Sequence, residues 1–138
     1  TVSEFDIESA TQAALTQIPS SKLILAIPLY GYSWETINNV ARSATMPGSA
    51  YSISSRSVKE MLSQCKNCKE YYDKTDSEAY IIYKDNETDL YHQIFYPNQE
   101  STKTKVDFAK TQKLGGMALW ALGYEDSTIL EPLSDYLR

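Results

Sequence analysis

The sequence has 138 residues, of which 42% are hydrophobic and 22% are charged, and its formal net charge is −5. This size and composition suit one globular domain with a core rather than a disordered chain. The negative charge repels phosphate backbones, which argues against nucleic-acid binding, and no apolar run reaches the roughly 20 residues that span a bilayer.

A helix, a short turn and a buried strand open the sequence. The helix is predicted over residues 7–18, with Asp6 as its cap and Pro19 at its end. Residues 22–30 form an almost continuous apolar run, typical of a strand covered on both faces in a parallel sheet. No signal peptide is present, but its absence says little. Because the sequence reaches this helix directly, we expect it to begin inside a longer polypeptide.

The middle of the sequence changes in character. Residues 31–51 are predicted to be irregular, and residues 53–65 to be a helix capped by Ser54 or Ser55. The predicted strands of an antiparallel sheet are residues 70–73, 79–84 and 90–96. Residues 85–89 are the polar turn between the last two. These short, tyrosine-rich strands with one polar side indicate an inserted α+β subdomain.

A second buried strand lies near the end of the sequence. It is predicted over residues 117–122, after a helix at 101–113 that Ser101 caps and Gly115 helps to stop, and before a closing helix at 128–137. Two parallel strands cannot close a sheet alone, so the full fold needs more strands than this sequence holds. We therefore expect an exposed apolar flank, or another chain that covers it.

The two cysteines, Cys65 and Cys68, form a lone CxxC pair. Such a pair can be redox-active, half of a zinc site, or a short-loop disulfide. Zinc needs about four ligands, and His92 is the only histidine available. Structural or incidental thiols, a disulfide included, are therefore favoured. His92 is predicted to be a strand residue whose ring is hydrogen-bonded, and we predict no metal and no cofactor.

Three segments together carry a family resemblance. Residues 22–34, which end in Pro-Leu-Tyr-Gly-Tyr-Ser-Trp, resemble the seventh barrel strand of family 18 glycoside hydrolases, the chitinase-like enzymes. Residues 114–126, with a glycine pair followed by Met-Ala-Leu-Trp-Ala-Leu, resemble the eighth strand, and residues 90–105 resemble the end of the insertion domain between them. The Tyr-Gly-Tyr-Ser-Trp form is most similar to bacterial spore-germination and peptidoglycan-active members.

The resemblance implies an α/β fold, namely the C-terminal fragment of a TIM barrel. Strands 7 and 8 of that barrel would lie here with their flanking helices. Residues 1–34 would carry helix 6 and strand 7, residues 35–100 the inserted α+β subdomain, and residues 101–138 helix 7, strand 8 and helix 8.

The family's catalytic signature, D-x-x-D-x-D-x-E on the fourth strand, has no match in this sequence. The nearest segment runs from Asp73 to Tyr80, with Glu78 at the third carboxylate position and Tyr80 at the position of the acid. We interpret it as a solvated hairpin turn. We therefore assign no catalytic residue and expect the chain alone to be inactive.

The resemblance also assigns four substrate-binding aromatics. Trp120 would be the flat floor under the sugar ring, and Tyr30 would stand in the same barrel mouth. Tyr32 and Trp34 would lie at the rim, and family members often have an arginine where Tyr32 stands. Without the resemblance, a tryptophan in an apolar strand such as that of Trp120 would be read as a core residue.

Three hypotheses about function follow. The first is part of an active, retaining glycosidase that acts on N-acetylglucosamine-containing glycan, chitin or peptidoglycan. The second is part of a non-catalytic chitinase-like lectin, and the third is an unrelated α/β module that binds proteins. The expected partners of the first are the glycan and either the remainder of the barrel or a second chain. The expected location is extracellular, at a cell wall or spore surface.

Overall fold

A computed structural model describes residues 6–66 and 68–136 of the chain. The α-helices are α1 (Ile7–Leu15), α2 (Ser55–Gln64) and α3 (Gln99–Thr111). The strands are β1 (Ile24–Pro28), β2 (Tyr30–Thr36), β3 (Tyr51–Ser54), β4 (Lys69–Asp73), β5 (Glu78–Lys84), β6 (Tyr91–Tyr96) and β7 (Gly116–Trp120). Among the described helices, none is long and apolar enough to cross a membrane.

The two apolar runs pair as parallel strands, as predicted. β1 and β7 form a two-stranded sheet in which Ile24 lies opposite Gly116 and Pro28 opposite Trp120. Ile27, on the face towards the rest of the chain, is 1% exposed. The other face is open: Ile24 is 65% exposed. The expected exposed apolar flank is therefore this open face of the parallel pair.

The antiparallel sheet is larger than predicted. It has five strands in the order β3-β2-β6-β5-β4, so the prediction that residues 31–51 are irregular is wrong at both ends of that segment. Only Leu29 separates β1 from β2, and the chain passes at this buried residue from one sheet into the other. The Leu29 N–H donates to the Trp120 carbonyl, at 2.6 Å, and the Leu29 carbonyl accepts from the Ser55 N–H, at 3.0 Å.

One face of the antiparallel sheet packs on α2. The buried side chains of this core are Val58, Ala79, Ile81, Ile94 and Tyr96. Val58 comes from the helix, and the others alternate along β5 and β6, since side chains on a strand point to opposite faces in turn. The opposite face of the sheet is therefore left for the aromatic residues of the same strands.

Side-chain caps set the starts of the helices. Asp6 caps α1 with a capping box to Ser9, and Ser54 caps α2, both as predicted. Helix α3 is capped by Asn98, whose Oδ1 accepts from the Ser101 N–H at 3.0 Å. The prediction that Ser101 is the cap is wrong, because the helix begins earlier and Ser101 already lies in its first turn.

The predicted closing helix at residues 128–137 is not an α-helix where the structure describes it. The Asp126 carboxylate accepts from the Thr128 N–H at 2.7 Å, and this local bond competes with helix formation. A short 3₁₀ helix, Glu131–Asp135, follows. The Tyr136 hydroxyl ties this segment to the carbonyl of Leu114 at 2.5 Å. Residue 137 of the predicted helix lies outside the described residues.

Contacts between α3 and the antiparallel sheet join the two parts of the structure. Lys105 Nζ lies 2.5 Å from Glu78 Oε1, and the side chains of the two residues are 8% and 24% exposed. The Asn98 amide donates to Glu70 Oε1, at 2.5 Å. The division into residues 1–34, 35–100 and 101–138 stays a prediction; in the structure the antiparallel sheet begins at Tyr30. The first five residues and the last two lie outside the described part.

Candidate functional site

The C-terminal ends of the two parallel strands bring together residues from both ends of the chain. Trp120 is the last residue of β7, and its partner Pro28 is the last residue of β1. Tyr30 follows two residues later, at the start of β2, so the expectation that it ends the first buried strand is corrected. Trp120 is 68% exposed, which is unusual for so large an apolar side chain. The peptide bond between Trp120 and Ala121 is cis.

A row of aromatic rings starts at Tyr30 and runs along β2. The ring centroids of Tyr30 and Tyr32 are 5.9 Å apart, and those of Tyr32 and Trp34 are 5.8 Å apart. The row extends in the other direction to Tyr124, whose ring lies 6.4 Å from that of Tyr30. Three of the four predicted site residues are thus neighbours. They share one face because positions 30, 32 and 34 alternate along a strand.

The same row continues across the antiparallel sheet. Phe95 lies 6.3 Å from Trp34, and Tyr80 stacks on Phe95 at 5.2 Å. Tyr71 stacks on Tyr80, also at 5.2 Å. We call the face that carries Tyr32, Trp34, Phe95, Tyr80 and Tyr71 the aromatic face. Sequence reasoning missed its distal part. The alternation of tyrosines along the strands was visible, but the register that aligns them was not.

A loop at residues 37–46 folds over the aromatic face. Gln93, which is 1% exposed, holds it from below. The Gln93 Oε1 accepts from the Arg42 N–H at 2.8 Å, and its Nε2 donates to the Val40 carbonyl at 2.6 Å. An amide side chain offers both a donor and an acceptor, and here both are used by the loop backbone.

Arg42 is fixed by two carboxylates of the β4–β5 turn. Its Nη2 lies 2.6 Å from Asp73 Oδ2 and also bonds the Asp76 carboxylate. Burial acts to raise the pKa of Asp73. The Thr75 and Asp76 N–H groups and the Arg42 guanidinium outweigh it, so that this pKa lies below its ordinary value of 3.8. The predicted hairpin turn therefore also has a role: it holds the loop.

The Arg42–Asp73 pair predicts a pH dependence of stability. Folding lowers the pKa of Asp73. The ionised carboxylate therefore stabilises the folded state above pH 3.8, and this stabilisation is lost as the pH falls through the lowered pKa. We expect Asp73→Asn to reduce the free energy of unfolding at pH 6 and to reduce it less at pH 2.5. Urea unfolding at both values checks this. Asparagine keeps the acceptor for Thr75, so an equal loss at both pH values would contradict the ion-pair explanation.

The other candidate functional residues, the two cysteines and His92, are built into the fold. Cys65 and Cys68 form a disulfide, one of the alternatives left open by their spacing. His92 is 8% exposed and stacks on Tyr83 at 5.0 Å. Its ring nitrogens have no hydrogen-bond partner among the described residues, so the prediction of a hydrogen-bonded ring is wrong. Within residues 6–66 and 68–136, no group of three or more His, Cys, Asp or Glu side chains is arranged to hold a metal ion.

Comparison with known proteins gives a consistent family. Residues 2–125 match the family described as glycosyl hydrolases family 18. The chain is 27% identical over 122 residues to an uncharacterized glycosylase, YvbX, of Bacillus subtilis, which covers 88% of this chain and 33% of that protein. The chain thus spans about a third of the length of this relative.

Two solved structures are similar in fold. The spore cortex-lytic enzyme SleL of Bacillus megaterium superposes with a TM-score of 0.77 and 28% identity, over 94% of this chain and 29% of that one. A GH18 chitinase variant from Cycas revoluta in complex with (GlcNAc)4 superposes with a TM-score of 0.82 and 29% identity, over 100% of this chain and 40% of that one.

Proposed function

The chain belongs to glycosyl hydrolase family 18, and from this premise we propose that it forms the C-terminal part of a glycosidase barrel and contributes one wall of the substrate cleft. The substrate is a polysaccharide that contains N-acetylglucosamine. β1 and β7 are strands 7 and 8 of a TIM barrel, and the five-stranded sheet with α2 is the subdomain inserted between them. Ligands of such barrels bind at the C-terminal ends of the strands.

The observation that carries this proposal is the exposed Trp120 at the C-terminal end of β7. A sugar ring has an apolar face made of axial C–H bonds, and a flat aromatic ring is its natural floor. With 68% of its surface open, the indole is available for that contact. Tyr30 follows Pro28, the strand partner of Trp120, by two residues, and Tyr32 and Trp34 continue from it along β2.

The open face of the parallel pair supports the barrel assignment. Ile24 is 65% exposed, and Ala26 and Ala118 on the same face are also exposed. Apolar side chains on both strands of one face are expected to be covered by further strands of a barrel interior. We assign that cover to the rest of the barrel.

Catalysis in the proposed enzyme depends on a group that this sequence does not contain. In substrate-assisted, retaining glycosidases the acetamido oxygen of the substrate is the nucleophile, and an enzyme carboxylic acid protonates the leaving oxygen. The D-x-x-D-x-D-x-E signature that would supply this acid has no match here. The hairpin at Asp73–Glu78 is committed to the Arg42 loop. This chain therefore contributes substrate contacts, and the acid comes from a strand encoded elsewhere in the polypeptide.

The names of the relatives bear on substrate and location. One structural neighbour is a spore cortex-lytic enzyme, and the other is a chitinase with a bound GlcNAc oligomer. The first name refers to lysis of the spore cortex, and the second to chitin and a GlcNAc oligomer. We propose a substrate that contains N-acetylglucosamine and an extracellular location, at a cell wall or spore surface.

Hydrolysis of a chromogenic chitobioside tests the proposal. The chain by itself is expected to release no chromophore above a buffer blank, because it lacks the general acid. The natural-length protein is expected to release it. Release by the chain alone would overturn the assignment of the acid to another strand. If the natural-length protein binds GlcNAc oligomers without cleaving any, it is the non-catalytic lectin instead.

A further inference from the structure

A cleft of about 430 Å³ opens on the aromatic face, on the β2 side of the loop at residues 37–46. We call it the Trp34 cleft. The residues that matter for the argument are Trp34, Phe95, Arg42, Ser43, Asp76 and Glu78. Its volume falls within the range of about 300–1,000 Å³ that is usual for small-molecule sites.

The cleft is preformed. Its roof is the loop that Gln93 holds through two backbone hydrogen bonds, at 2.8 and 2.6 Å. Arg42 is fixed by both Asp73 and Asp76, and its Cζ lies 6.0 Å from the centre of the Phe95 ring. A ligand that enters meets walls already in place, which reduces the ordering cost of binding.

Two polar groups at the cleft wall are unused. Ser43 Oγ and Glu78 Oε2 are buried and have no hydrogen-bond partner in the described part of the chain. Buried polar atoms are nearly always paired, so each unpaired one calls for an explanation.

The charges of the cleft favour a neutral ligand with hydroxyl groups. Arg42 is already neutralised by two aspartates, and Glu78 is paired with Lys105 at 2.5 Å. A phosphate or carboxylate ligand would therefore meet an excess of carboxylates. A sugar unit instead offers an apolar face to Trp34 and Phe95, and hydroxyls that donate to carboxylate oxygens.

We propose that the Trp34 cleft binds one further sugar unit of the same glycan whose ring stacks on Trp120. The inference rests on the proposed function, which it extends along the wall. Tyr30 and Tyr32 precede Trp34 along β2, and their ring centroids are 5.9 Å apart. The glycan would run from the end of β7 along this row of rings.

Steric blocking of the cleft tests this proposal in the natural-length protein. Thr45 lines the Trp34 cleft and is exposed, so the large side chain of Thr45→Trp is expected to fill the cleft. Isothermal titration with the di- and hexasaccharides of β-1,4-linked N-acetylglucosamine is the measurement. We expect Thr45→Trp to weaken hexasaccharide binding about tenfold, which is close to 1.4 kcal/mol, and to leave disaccharide binding unchanged.

A matched control lies on the same loop. Asn39 is exposed and lines the neighbouring cleft on the β4–β5 side, so Asn39→Trp should leave both affinities unchanged. Ser43→Ala, which adds no bulk, should weaken only hexasaccharide binding. Thermal unfolding confirms that each variant is folded.

The outcomes separate the two proposals. Unchanged hexasaccharide binding by Thr45→Trp would overturn the second sugar site. An equal loss of affinity for the disaccharide and the hexasaccharide would overturn it too, because the substitution in the loop would then be acting on binding at the Trp120 end. If the wild-type protein binds neither ligand, the proposed function itself fails. If Trp120→Ala weakens the disaccharide while Thr45→Trp affects nothing, only the further site is lost.

Discussion

Replacing Gly31 with alanine is expected to lower the free energy of unfolding by about 3 kcal/mol or more, at the upper end of the cost of overpacking. A Cβ on Gly31 would lie 1.9 Å from the Phe95 carbonyl oxygen and 2.7 Å from the Cα of Tyr96. Both are backbone atoms of β6, so no side-chain rotation relieves the clash. The central pair of the antiparallel sheet, β2 and β6, would have to separate.

Gly116→Ala is the matched control for this change. The nearest atom to a Cβ there is Ile24 Cγ1 at 3.9 Å, an ordinary contact. Both glycines are strand residues, so the loss of backbone freedom is comparable and only the steric term differs. Chemical denaturation of the two variants measures the difference. If Gly31→Ala is as stable as Gly116→Ala, β6 does not cross Gly31 as closely as the structure has it.

The parallel pair could be predicted because its signal is local. The runs that contain Ile24–Pro28 and Gly116–Trp120 are apolar without alternation, which is typical of strands in a parallel sheet. Their pairing followed from the rule that βα units join neighbouring parallel strands by a crossover. The bounds were too long because the hydrophobic runs extend beyond the hydrogen-bonded residues.

β2 was missed although its pattern was present in the sequence. Tyr30, Tyr32 and Trp34 alternate with small residues, which is a strand signal. Gly31, Pro47 and Gly48 nevertheless predict irregular structure over the whole of residues 31–51. The strand forms because β3 and β6 supply hydrogen bonds on both sides, and such non-local pairing cannot be read from a window of sequence.

The candidate site likewise has a part that could be predicted from the sequence and a part that could not. Its four predicted aromatics came from a family resemblance, and the structure brings three of them together on β2. The distal rings, Phe95 and Tyr80, depend on the registers Tyr32–Phe95 and Tyr80–Phe95. A slip of one residue would turn them into the core on α2. The loop over them depends on Gln93, whose buried amide has no signature in the sequence.

Trp120→Ala in the natural-length protein is expected to reduce kcat/KM for GlcNAc oligomers about 100-fold, or about 2.7 kcal/mol of transition-state stabilisation. Both kcat and substrate binding should fall. In the proposed role, the indole would support the sugar ring in the ground state and the distorted ring more strongly near the transition state. Steady-state kinetics gives kcat and KM separately, and titration with a disaccharide measures substrate binding.

Trp120→Phe distinguishes a floor from a structural role. Phenylalanine keeps a flat apolar ring and should recover a large part of the activity, whereas a packing defect would follow the lost volume and appear as a lower unfolding temperature. Leu122→Ala is the surface control, because Leu122 is 87% exposed and lies two residues beyond Trp120. If Trp120→Ala changes KM alone, the ring binds substrate and transition state equally. If it changes neither, Trp120 is not the floor, and the wall begins at Tyr30.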